Sequence, residues 1–227
     1  MSGPLSPRHK AILYVLVPAT VTIALMACYF SGVPALQSLV SPAYNREFGL
    51  LESLQHLILL GLIVILVRGL RNRTSRLEQR VLWIALAGTI LMFLEEVDYG
   101  LHLVDVMHGR RPDYEQVRNL HNLQSTKRLK QLSDVLMVLY FAVLPLLAPR
   151  LRQPWLRHLA PDRICIITLI IGGVLTNTGT LIQDTTMQVG SISKNISEFT
   201  ELNHYYLVAA YFYELTMRRP PPGPAFS

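Results

Sequence analysis

Apolar residues fall in long uninterrupted blocks along this chain, with no sustained strand-like alternation between them. A helix needs about 20 apolar residues to cross a bilayer. Windows near 11–31, 48–70, 81–104, 132–149, 163–187 and 198–217 meet that requirement. The pattern predicts an all-α integral membrane bundle of about six transmembrane helices, forming a single domain over 1–217. The connectors 71–80 and 150–162 are short and basic, and 105–131 is a longer polar loop. Residues 218–227 form a Pro-rich tail, which favours extended chain. The first window reads as a crossing rather than a cleaved leader, because its apolar stretch is long and Tyr29-Phe30 follows Cys28.

Composition agrees with this pattern. Of the 227 residues, 51% are hydrophobic and 16% charged, which excludes an ordinary soluble domain. The net charge of +6 reports topology and lipid headgroup contact before nucleic acid, since basic residues gather in loops and no basic-aromatic module is present. If consecutive helices alternate direction, one side holds Arg8, Lys10, Arg68, Arg71, Arg73, Arg76, Arg80, Arg150, Arg152, Arg157, Arg163, Arg218 and Arg219, 13 of the 21 basic residues. The positive-inside rule then makes both termini cytoplasmic. Cys28 and Cys165 both lie in apolar runs, which excludes a disulfide framework and CxxC metal sites.

Candidate chemistry comes from ionisable residues inside these windows. Insertion at mid-helix costs about 2.5 to 3.5 kcal/mol for Asp, Lys or Arg, so such groups mark sites or partners. Glu52 and His56 stand i,i+4 in the second window, and Glu95, Glu96, Asp98 and His102 end the third. Asp184 is near the end of the fifth, and Glu201 and His204 stand i,i+3 at the start of the sixth. With alternating helices, all four groups lie at the extracytoplasmic end. His56 and Glu96 fall about 12 Å in and His204 about 10 Å, at 1.5 Å per residue.

A carboxylate paired with a histidine on one helix face either ligates a metal or orients the imidazole. His56, His121 and His204 with Glu52 and Glu201 form a candidate ligand set for a divalent metal, zinc first. Glu201-Leu202-Asn203-His204 has the ExxH spacing of di-iron bundles, but no second ExxH accompanies it. Glu95 and Glu96 are the candidate general bases. Arg110, Arg111 and Arg118 suit an anionic headgroup, with Asp98, His102 and Asp184 as further substrate contacts. Plain helix-to-helix polar packing explains several of these groups as well.

Glu95-Glu96-Val97-Asp98-Tyr99-Gly100, followed by Asn119-Leu120-His121-Asn122, resembles a pattern in a family of polytopic bacterial membrane proteins. There an EE-[IV]-x-aromatic-G-Q segment ends one helix and an NLHN segment follows in the next loop. This chain has Leu101 where that family has Gln. The resemblance covers about residues 95–122 and implies which residues matter without implying a reaction. Ser53, His56, Asp98 and His204 also resemble part of the zinc site of alkaline ceramidase-like membrane hydrolases. The spacing departs from theirs, being Ser-x-x-His, with no His four residues after His204.

The expected function is a metal-assisted hydrolase or transferase in a bacterial cytoplasmic membrane. Its site faces the periplasm or exterior and takes a lipid or lipid-linked substrate. The alternatives are a proton- or cation-coupled transporter, a non-catalytic subunit of a membrane complex, and a haem protein with His56 and His204 as axial ligands. Glu214 is expected at the membrane interface, and His158 in a solvated loop.

Overall fold

The computed structural model describes residues 5–40, 49–73, 75–97, 139–143, 147, 158–172 and 196–218. Every regular element among them is helical, and none is a strand. Helix α1 spans Pro7–Tyr29, with a π-helical turn at Ile12–Leu16. Helix α2 is Pro34–Val40, α3 Leu50–Asn72, α4 Arg76–Glu96, α5 Arg163–Gly172 and α6 Ile196–Met217. A further π-helical turn covers Leu139–Val143. Pro7–Tyr29, Leu50–Asn72 and Arg76–Leu94 are each long and apolar enough to cross a membrane. Their exposed side chains include Ile23, Leu57, Trp83 and Ile84. A lipid-facing surface has that character.

Local chemistry sets the helix ends. Ser6 caps α1 by accepting from the His9 amide, and Pro7 occupies the first turn, where its missing N–H costs nothing. After Tyr29 the chain turns sharply. Ser31 Oγ donates to the Cys28 carbonyl at 2.8 Å and accepts from the Val33 amide at 3.2 Å. Gly32 takes φ of 73°, which disfavours other residues. Pro34 then opens α2, a short helix between the first two apolar windows.

The chain divides into two compact units, Met1–Ile65 with Pro161–Ser227, and Leu66–Ala160. In the first, α1 and α6 run antiparallel. Tyr14 meets Glu214, Thr22 meets Asn203 and Tyr29 meets Phe199, so ascending positions on α1 pair with descending positions on α6. Lys10 and Arg218 therefore lie at the same end of this unit. Helix α5 also opposes α6, since Asp162 ahead of it reaches Arg218 while His204 hydrogen-bonds to the Leu169 backbone.

In the second unit, Glu78, Leu82, Leu86 and Thr89 are buried along one face of α4, at helical spacing. His158 Nε2 lies 2.7 Å from Glu78 Oε1, and Arg73 reaches the same carboxylate at 3.7 Å. His158 is thus a carboxylate-contacting histidine with its side chain 10% exposed, not a solvated loop residue. Its partner lies eighty positions upstream, where local pattern gives no sign of it.

Between apolar helices in lipid the hydrophobic effect gives little, and close packing with a few polar bonds carries the association. Thr22 Oγ1 to Asn203 Oδ1, 3.0 Å, is such a bond midway along α1 and α6. Thr22→Val is expected to cost about 0.6 kcal/mol, the mean for membrane interhelical bonds. Thermal unfolding in detergent should show a small lowering of Tm with no change in helix content.

Candidate functional site

One end of the first unit is held by a cluster of Leu25, Tyr29, Val40, Leu51, Phe199 and Leu202, with Leu54 and Ile58 packed against it. Leu51 comes from the first turn of α3, and Phe199 and Leu202 from the first two turns of α6. Tyr29 and Phe199 meet edge to face, with centroids 5.9 Å apart. This packing brings the Glu52/His56 stretch of α3 and the Glu201/His204 stretch of α6 to the same end. Glu52 follows Leu51 directly and Glu201 directly precedes Leu202. All four polar residues are partly buried.

His204 is the best defined of them. Its ring hydrogen-bonds to the Leu169 backbone on α5. Gly172 lies beside it, such that a Cβ on Gly172 would stand 3.8 Å from Nε2. An imidazole ring is oriented by a main-chain partner of this kind. Its second nitrogen can then serve as acceptor or ligand.

Gln55 was not anticipated from the sequence. It is fully buried, on a stripe of α3 formed by Leu51, Gln55, Leu59, Leu62 and Leu66. Its signal was present in the chain, since a polar residue at i+4 from one leucine and i−4 from the next sits on the buried face. It stands between Glu52 and His56 in sequence, as a buried amide in the same two turns of α3.

Two histidines and two carboxylates are chemically suited to zinc or a similar ion. Among the described residues, however, no three His, Cys, Asp or Glu side chains group as a metal site requires. Glu96 is partly buried in the last turn of α4, in the second unit, and Glu95 occupies the same turn. Asp98, His102, Arg110, Arg111, Arg118, His121 and Asp184 lie outside the described residues. So do most of the fourth window and the later part of the fifth.

The opposite end of the first unit carries a second polar group that the sequence reading did not assemble. Glu214, expected at the interface, is buried with a side chain only 1% exposed. Tyr14 Oη donates to its Oε2 at 2.6 Å, Lys10 Nζ lies 3.0 Å from Oε1, and Arg218 lies 3.3 Å from Oε1. Lys10 also pairs with Asp162, and Arg218 reaches Asp162 at 3.7 Å. An acid this deep is tolerable because two cations and a phenol surround it. Two of those partners, Lys10 and Tyr14, come from α1, up to 204 positions away in sequence.

No protein-family model, curated protein or solved structure matches this chain. The resemblance of residues 95–122 to a bacterial membrane family therefore rests on its motif. Among the described residues every regular element is helical, and three helices are fit to cross a membrane.

Proposed function

We propose that this is a polytopic protein of a bacterial cytoplasmic membrane, with six crossings and both termini cytoplasmic. Its Glu/His site lies at the extracytoplasmic end and serves a metal-assisted hydrolase or transferase acting on a lipid or lipid-linked substrate. One observation carries the reading: packing of Leu51 against Phe199 and Leu202 sets Glu52/His56 and Glu201/His204 at one end of one unit. The antiparallel course of α1 and α6 supports an even number of crossings.

In this reading His56 and His204, with His121 and Glu52 or Glu201, would hold the ion. Bound there, a divalent ion would polarise a substrate oxygen and activate water. The Leu169 backbone orients the His204 ring, and Glu95 and Glu96 would be the candidate general bases. Arg110, Arg111 and Arg118 hold an anionic headgroup, with Asp98, His102 and Asp184 lining its approach.

The test is metal content of detergent-purified protein by mass spectrometry. About one ion per chain is expected in the wild type, with loss in both His56→Ala and His204→Ala while each remains folded. Folded wild type without metal overturns the reading.

A second reading, proton-coupled transport, is favoured by buried Glu214. The α6 helix that carries His204 at one end carries this carboxylate 10 residues further on, so titratable groups occupy both ends of one crossing. Proton uptake by proteoliposomes, abolished by Glu214→Gln, would support it over the enzyme.

A further inference from the structure

The four charges at the Lys10 end form a closed cycle. Lys10 pairs with Asp162 and Glu214, and Arg218 pairs with the same two acids. Signs alternate around the ring, the net charge is zero, and three separate segments contribute: α1, the residue ahead of α5, and the chain around the end of α6. Static packing does not call for such a device, because apolar residues of similar volume usually hold helices as well or better. An ion ring differs in what happens when it opens, since each charge can be taken up by water at the membrane surface.

The burial gradient suits opening. Glu214 is 1% exposed and Arg218 14%, whereas Lys10 is 21% exposed and Asp162 34%. Water already reaches the Asp162 corner, so the ring has an outer edge from which it can be undone. The backbone of α1 supplies a second, independent observation. Lys10 and Tyr14, both contacts of Glu214, flank or occupy the π-helical turn Ile12–Leu16, where the Val17 amide bonds to the Ile12 carbonyl five residues back. A π turn inside an α-helix holds one residue more than the regular repeat. Migration or loss of that turn rotates the preceding segment, here the one carrying Lys10.

We propose that the Lys10–Asp162–Arg218–Glu214 ring is an ionic latch closing this end of the α1/α5/α6 unit, with the π turn of α1 as its hinge. In the latched state Cys165, three residues beyond Asp162, is completely buried. In the released state Lys10 turns away with the first part of α1, and water reaches Glu214 and Cys165. The proposal does not depend on the Glu/His site at the other end, and its test does not involve metal.

Cys165 and Cys28 are the only cysteines, so N-ethylmaleimide labelling of the full-length protein in detergent, read by peptide mass spectrometry, follows both positions at once. Arg218→Gln removes one corner of the ring. It is expected to raise the labelling rate of Cys165 at least tenfold while Cys28 changes less than twofold and helix content holds. Protection of Cys165 in folded Arg218→Gln, or a parallel rise at both cysteines, overturns the latch in favour of static packing or general loosening. Should that variant fail to fold, the wild type decides. Raising salt from about 0.1 to 1 M shortens the Debye length from about 10 to 3 Å and should accelerate Cys165 labelling about threefold. An unchanged rate overturns the proposal.

Discussion

Replacing Glu214 with alanine is expected to destabilise the folded protein by about 3 kcal/mol, the low end for breaking a buried ion pair. The carboxylate serves three partners: the Tyr14 hydroxyl at 2.6 Å, Lys10 at 3.0 Å and Arg218 at 3.3 Å. Without it the two cations keep Asp162 as their carboxylate partner, a third exposed and 3.7 Å from Arg218. Most of the cost is the buried positive charge left behind, not the lost attraction. A double variant, Lys10→Met with Glu214→Met, should therefore recover more than half of the loss, because it removes one charge of each sign. Thermal unfolding in detergent, comparing both variants with the wild type, checks both statements. A Glu214→Ala protein that melts with the wild type would mean that the carboxylate is solvated.

Phe199→Ala should cost about 3 kcal/mol as well, by a different mechanism. Phe199 is fully buried in the cluster that joins α1, α2, α3 and α6. Phe-to-Ala changes in cores cost about 3 to 5 kcal/mol, of which the unfilled cavity is a part. Lipid removes some of the transfer contribution, so the low end is expected. The effect should also be directional. This cluster sets α3 against α6 beside the Glu/His pairs, so any metal bound there should be lost or weakened in Phe199→Ala. Tyr14→Phe, at the far end of the same unit, should retain it. Tm together with metal stoichiometry measures both.

What could be read from the chain was whatever depends on composition over one helix length. The apolar runs near 11–31 and 48–70 are recovered as Pro7–Tyr29 and Leu50–Asn72, because a membrane-grade helix needs only its own residues to satisfy its backbone. The α6 start near 198 was legible for the same reason. The early start of α1 was not, since Pro7, Arg8, His9 and Lys10 look like a polar lead-in until Lys10 finds Glu214 and Asp162. Glu214 illustrates the general difficulty. Locally it is an acid near a helix end, and only a lysine 204 positions earlier turns it into a core residue. Gln55 and His158 follow the same logic, while α2 was hidden because seven residues are too few to give a hydropathy signal. The Glu52/His56 and Glu201/His204 pairs were legible as pairs. Their sharing one end depends on Leu51, Phe199 and Leu202, which are unremarkable in sequence.

The antiparallel pairing of α1 with α6 has a consequence for how the protein is made. Lys10 and Tyr14 are synthesised some 200 residues before Glu214. At about 5 to 20 residues per second that gap lasts about 10 to 40 s. Throughout it, the first helix must wait in the bilayer with a lysine and a phenol whose final partner does not yet exist. Biogenesis of this protein thus contains a built-in delay, during which whatever shelters α1 in the insertion machinery decides whether α6 finds it.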